Sequence, residues 1–413
     1  MRIAMIVNQF PALSETFVLS QITGLIDRGH SVDIFASQPR AEGTVHQDVL
    51  DYGLLERTTY YSSALVTPPS IVRRVASAAR VVAREVGRNP RPIAHALNVV
   101  RYGKRAASLR MLHHIAPFLG RGPYDIIQCH FGPSGILAAF LQSIGAIQGK
   151  LITTFHGHDV TAYVRAHGPG VYADLFRRGA RFLHVSEYLG RKLKALGSPP
   201  ERTMLHRVGV DIERFAFAPR VLAPGEPVRL ITVARLVEKK GLEYSIRAVA
   251  QVARRHPNLR YRIVGDGKLR EPLQRLIAEL GMGDTIELLG WKSQDEVRRL
   301  YAESHLFVLG SVTASNGDEE GLPVALQETQ AMGLPAVCTR HSGFPEGLVE
   351  GRSGLLVPER DVEAMAAAIA TLIEHPERWP EMGRAGRAHI EEHFDNRKLN
   401  DRLVELYESV IGT

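Results

Sequence analysis

The sequence predicts an α/β fold built from two doubly wound parallel sheets, and three observations carry that expectation. Strand-like apolar runs alternate with amphipathic helical stretches along the whole chain, the pattern of parallel sheets covered on both faces. The chain has 413 residues, about twice a common α/β domain. A Pro-rich stretch with little periodicity, FAFAPRVLAPGEP (215–227), divides the alternation near its middle and reads as a linker.

In the first half, strands are expected at 2–10, 30–36, 125–131, 150–155, 181–186 and 203–209, with a helix at 14–30 that stops at Gly29. In the second half they are expected at 228–235, 259–267, 284–291, 305–311 and 335–340, with a helix from about Gly241 to His256. The domain reading is 1–215, a linker at 216–227, and 228–390, with a terminal helix at 391–413 that can return to the first domain. Ligands of such sheets bind beyond the carboxyl ends of the strands, so the expected site is the cleft between the halves.

Composition narrows the function classes. At 45% hydrophobic and 23% charged, the chain is globular rather than disordered or low-complexity. Its two cysteines, Cys129 and Cys338, lie far apart and form no zinc-ligand pattern, which points to a reducing cytosol. Met1 to Asn8 reads straight into a strand, without the basic start of a signal peptide. The longest uncharged stretch, Ile126 to Gly149, is broken by Gly132, Pro133 and Gly135 and does not span a bilayer.

Net charge is +7, and it is concentrated. Between Ile71 and Arg121 stand eleven Lys or Arg residues against one acid, Glu85. This implies a local anionic partner rather than a nucleic acid wrapped on the whole surface. Within it, Val72, Val75, Ala79, Val82 and Val86 fall in a helical sector of roughly 80°, opposite Arg73, Arg80, Arg84 and Arg88. Such a stripe either packs on the N-terminal sheet or lies on anionic lipid.

Five short segments carry chemistry. In GDEEGLPVALQETQAMGLP (317–335), Glu320 and Glu328 are separated by seven residues. A helix beginning near Gly321–Leu322–Pro323 would present free backbone N–H groups to an anion such as a diphosphate. The two carboxylates could accept hydrogen bonds from sugar and ribose hydroxyls; the plainer reading is an acidic turn that complements the helix dipole. TVARLVEKKG (232–241) sets Arg235 at a strand end and Lys240 just before a helix. That pair suits a diphosphate and its departure, or forms an exposed basic loop; Lys239 beside it is expected to be solvated. IVGDG (263–267), shorter than a GxGxxG fingerprint, either makes a plain structural turn or lets backbone at Gly265 and Asp266 approach a nucleotide closely.

TTFHGHD (153–159) puts His156 and Asp159 just past a strand end, facing a sugar or holding the turn. No third ligand cluster accompanies His156, His158 and Asp159, and no Asp-x-Asp occurs, so no metal and no cofactor is expected. FPALSETF (10–17) offers Ser14 as a helix N-cap, with Glu15 in the first turn, on a loop that can reach into the cleft toward the acceptor or the diphosphate.

Together these motifs resemble the family-4 glycosyltransferases, retaining enzymes of the two-Rossmann GT-B architecture, over nearly the whole chain. PALSETFVLSQITGLIDRGH (11–30) and HFGPSG (130–135) are most similar to the exopolysaccharide branch that includes colanic acid and amylovoran transferases. The resemblance implies a hexosyltransferase whose donor is a nucleotide-diphosphate sugar, UDP-linked in the family's commonest case. By position, it implies that Arg235 and Lys240 hold the diphosphate, that Glu320 and the amides near Gly321, Leu322 and Pro323 meet the transferred sugar, and that Glu328 holds the ribose. It places His156 beside the reacting sugar, and Gly265, Asp266, Trp291 and Lys292 around the nucleotide. The acceptor-side candidates are Ser14, Glu15 and Asp159; one departure from the family is that many relatives carry a Gly-Gly loop after the first strand, where this chain has Pro11 to Glu15.

A lipid-linked or a small-molecule acceptor fits such an enzyme; the cysteines and the start of the chain point to the cytoplasm, and the basic segment 71–121 to a peripheral place on the inner membrane face. A nucleotide-sugar epimerase shares the architecture, as do phosphorylases, but the E-x7-E after an Arg–Lys loop favours transfer. An exported sugar-binding protein would carry a signal peptide.

Overall fold

The computed structural model describes residues 1–12, 15–39 and 45–412. The first half supplies seven strands: β1 (Arg2–Gln9), β2 (Ser31–Gln38), β3 (Thr58–Tyr60), β4 (Ile126–His130), β5 (Lys150–Phe155), β6 (Arg181–His184) and β7 (Thr203–Leu205). They form one parallel sheet in the order β3-β2-β1-β4-β5-β6-β7. The second half supplies β8 (Val228–Val233), β9 (Leu259–Val264), β10 (Ile286–Gly290), β11 (Leu306–Leu309), β12 (Ala336–Thr339) and β13 (Gly354–Val357). These form a second parallel sheet, β10-β9-β8-β11-β12-β13.

The central strand β1 is buried on both faces from Ile3 to Val7, as helices on either side of a parallel sheet require. Ile3 pairs with Val32 on one side and Ile126 on the other. Strand order therefore reverses between β1 and β4, and again between β8 and β11. A crevice opens at the carboxyl end of each reversal, and the two crevices face each other.

The chain crosses between lobes twice, side by side: Val210 bridges to Asp395. The last helix, Asn396–Ile411, returns to the first lobe. Its Leu403, Tyr407 and Val410 join the same buried cluster as Ile3, Met5 and Val7, and the Tyr407 hydroxyl donates to Gln128 Oε1 at 3.0 Å. The Pro-rich stretch is tied down rather than loose. Arg220 is buried within it and donates to the carbonyls of Ala302 and Met332, both at 2.7 Å.

Two edge strands, β3 and β13, go beyond the expected set. Helix bounds also shift: the first helix runs Thr16–Asp27 and the one after β8 runs Leu242–Ala253. The basic helix covers Ile71–Glu85. It buries Ala78 and Glu85, while Ile71, Val72 and Val75 stay 72%, 75% and 55% exposed. Packing of the whole valine stripe on the sheet is thereby overturned, although Val82 does contact the core. Among the described residues, no helix is long and apolar enough to cross a membrane.

Candidate functional site

The facing crevices enclose a cavity of about 760 Å³. On the second lobe, β8 ends at Val233 and delivers Arg235 to the cavity wall. A short turn, Glu238–Lys240, then precedes Gly241, whose φ of +55° and distance of 1.8 Å from a would-be Cβ to the Gly310 carbonyl oxygen demand glycine. The turn aims both lysines at one carboxylate. Lys240 Nζ donates to Glu320 Oε2 at 2.8 Å, and Lys239 Nζ stands 3.4 Å from Glu320 Oε1. Lys239 is thus buried, with Asp318 as a further partner at 3.2 Å, where solvation was expected.

Burial alone would raise the Glu320 pKa, but the ammonium groups of Lys240 and Lys239 outweigh it and bring it down to about 2. Burial also lowers the Lys240 pKa, against the pull of Glu320. Glu320 is fixed from behind as well. Its backbone N–H donates to His341 Nε2 at 3.2 Å, and His341 Nδ1 meets Glu359 Oε1 at 2.6 Å. The His341–Glu359 pair was not singled out from sequence, although His341 lies just past β12, at a carboxyl end like the other site residues.

The helix after Glu320 runs Val324–Ala331, with Pro323 as its N-cap rather than inside its first turn. Gly321, Leu322, Pro323 and Val324 line the cavity. Glu328, one turn on, also lines it; burial raises its carboxyl to about 7, partly offset by the Tyr301 hydroxyl that donates to it at 3.0 Å. Gly265, Asp266, Trp291 and Lys292 complete this wall, and Trp291 is 43% exposed, an open ring face.

On the first lobe, β5 ends at Phe155 and leads into His156, which lines the cavity between the rings of Phe17 and Phe131, each with its centroid 4.6 Å away. Asp159 does not line the cavity. It is fully buried and accepts backbone N–H groups of Gly132 at 3.0 Å, His156 at 3.0 Å and Gly157 at 2.9 Å. It shapes the turn that carries His156, so the acceptor-side reading of Asp159 is corrected to an indirect one. Glu15 does line the cavity, at the N-cap of the first helix. Burial raises its carboxyl to about 7 against the opposing effect of Arg235. Ser14 lies outside the described residues.

The lobes meet backbone to backbone at this point. A Cβ on Gly321 would stand 2.2 Å from the His156 carbonyl oxygen, and one on Gly157 would stand 2.9 Å from the Gly321 nitrogen. His156, Arg235, Lys240, Glu320 and Glu328 therefore share one cleft. Three cations and a helix start that lines the cavity suit a diphosphate, and buried carboxylates suit hydroxyl donors. Among the described residues, no three His, Cys, Asp or Glu side chains come together as a metal-ligand group.

Comparison with known proteins agrees with this geometry. Residues 214–389 match the family model described as glycosyl transferases group 1, and residues 14–209 match the glycosyl transferase 4-like domain. WcaL of Salmonella typhimurium, assigned as a colanic acid biosynthesis glycosyltransferase, is 37% identical over 99% of this chain and 100% of its own length. The amylovoran biosynthesis glycosyltransferase AmsK of Erwinia amylovora is 34% identical over 99% of both. Among solved structures, Anabaena HepE in complex with UDP and glucose superposes with a TM-score of 0.69 at 17% identity, over 98% of this chain and 99% of that one, which shows the shared GT-B fold. With relatives of this identity along its whole length, the chain belongs to the group 1 glycosyltransferases, its first half a glycosyl transferase 4-like domain.

Proposed function

We propose that this glycosyltransferase moves a hexose from a UDP-linked donor, with retention at the anomeric carbon, to a lipid-linked acceptor during exopolysaccharide assembly. The observation that carries the reading is the junction of Arg235, Lys239 and Lys240 with Glu320 at the start of the Val324–Ala331 helix, directly across the cleft from His156. A donor diphosphate there meets the cations and the free amides, Glu328 reaches the ribose, and Trp291 borders the base. The names of WcaL and AmsK support the exopolysaccharide setting, and the UDP in HepE supports the nucleotide.

In this reading the acceptor hydroxyl attacks the anomeric carbon on the face the diphosphate leaves. The carbon–oxygen bond to the β-phosphate breaks, the bond to the acceptor oxygen forms, and a phosphate oxygen of the departing UDP takes the hydroxyl proton. Arg235 and Lys240 stabilise the charge that builds on UDP. No metal or cofactor is assigned a part. The acceptor would approach along a lipid surface, held by the exposed Ile71, Val72 and Val75 beside Arg73, Arg80 and Arg84.

Incubation with UDP-glucose, UDP-galactose and GDP-mannose, with detection of released nucleotide, tests the donor. Lys240→Ala is expected to slow release by about 100-fold to 1,000-fold in protein that still folds, with a lowered melting temperature because buried Glu320 keeps only Lys239 as a close cation. Near-normal release in that variant would refute the diphosphate role.

A further inference from the structure

HFGPSG opens with a histidine that the donor site does not use. His130 ends β4, at the same carboxyl edge as His156 at the end of β5. Its Nδ1 lies 3.0 Å from His156 Nε2, and the two rings stack with centroids 5.2 Å apart. His130 itself is buried, and among the described residues its Nε2 meets no hydrogen-bond partner. The next residue, Phe131, holds φ at +69°, outside the comfortable range of a side chain with a Cβ, and presses its ring on His156.

One proton sits between the two rings, and the unpartnered Nε2 decides whose it is. If His156 Nε2–H donated, neutral His130 would carry its own proton on Nε2, a buried N–H with no acceptor among the described residues. If His130 Nδ1–H donates, its Nε2 is a bare lone pair, the smaller cost of the two. His156 Nε2 is then the acceptor, so neutral His156 carries its proton on Nδ1, the nitrogen left for a ligand in the cavity. We propose that His130 is a positioning residue, whose hydrogen bond fixes His156 in the Nδ1–H tautomer and so turns a hydrogen-bond donor toward the sugar.

Burial agrees with neutral rings throughout. It lowers the pKa of His130 to about 3 and that of neighbouring His206 to about 4, and it lowers that of His156 strongly, with His130 and His206 adding to the effect. The proposal rests on the reading that His156 meets the transferred sugar, but the tautomer itself can be observed without any turnover.

The test is nitrogen NMR of the full chain labelled with 15N-histidine, with the His156 ring assigned through His156→Gln. The wild type is expected to show a neutral His156 protonated on Nδ1. His130→Phe, which keeps ring volume and removes the donor, should shift His156 toward the Nε2–H form. It should lower kcat by about 10-fold to 100-fold while donor KM changes less than about 2-fold. His130→Asn places an amide N–H near the lost Nδ1–H and should recover the tautomer and most of kcat. An Nε2–H tautomer in the wild type, or an unchanged tautomer in His130→Phe, would overturn the proposal whatever happens to turnover. A Nδ1–H wild type that turns over no nucleotide sugar would uphold the tautomer and sink the transfer reading instead.

Discussion

Glu328 holds a proton more tightly folded than unfolded, because burial raises its carboxyl from an ordinary 4.5 to about 7. Between those values the native state binds more protons than the unfolded chain, so stability falls as pH rises. The contribution is whole below pH 4.5 and lost as pH climbs through 7. Glu328→Gln has no such titration and its amide oxygen can still accept from Tyr301. Its melting temperature should therefore match the wild type near pH 4.5 and exceed it at pH 8, by up to about 3 kcal/mol of stability; a constant difference across that range would contradict the burial argument. At this scale the sequence was partly readable. Arg235, Lys240 and Glu320 stand out because a strand end, a glycine and a spaced pair of glutamates frame them. Lys239 does not, since adjacent lysines look alike until the turn Glu238–Lys240 aims both at Glu320. Asp159 was visible as a residue but not as three hydrogen bonds to backbone, which only the closed loop creates.

Elements were more legible than contacts. The long interior strands announce themselves by apolar runs, since both of their faces are covered. By contrast, β3 and β13 are three and four residues long and sit at sheet edges, too short for a period to register. The basic helix shows a different limit: periodicity locates its apolar stripe but not what covers it. Among the described residues nothing covers Ile71 and Val72, and Arg73, Arg80 and Arg84 are exposed on the same helix. If the helix rests on lipid, each arginine near the surface contributes about 1 kcal/mol toward anionic headgroups. Reversing all three to glutamate should cut partitioning onto phosphatidylglycerol vesicles by at least roughly 100-fold at low salt and leave nucleotide release from the donor intact. Equal sedimentation of wild type with neutral and anionic vesicles would remove the membrane from the proposal.

At the scale of the whole molecule, catalysis needs the two lobes brought together, and the cleft floor is held by contacts beside the donor site. Lys192 pairs with Glu319 at 2.7 Å, and the Tyr188 hydroxyl donates to the same carboxylate at 2.7 Å. Glu346 accepts the backbone N–H groups of Glu187 at 2.9 Å and Tyr188 at 3.2 Å, capping a first-lobe helix from the second lobe. Arg207 approaches Glu346 at 3.4 Å. Glu319 is buried while Lys192, Arg207 and Glu346 are partly exposed; partly exposed pairs contribute about 0.2–1 kcal/mol each, enough to bias how the lobes meet across two adjacent crossings. Lys192→Ala combined with Glu346→Ala should therefore lower the fraction of molecules with lobes in contact. Donor affinity falls in proportion to that fraction, so donor KM should rise roughly threefold to tenfold while kcat, set once the lobes have met, changes little. Small-angle scattering should show a larger radius of gyration in the double variant and its return to the wild-type value on addition of UDP. If the radius and KM both stay at wild-type values, these contacts do not govern the meeting of the lobes, and the glycine-to-glycine approach at Gly157 and Gly321 would have to hold it without them.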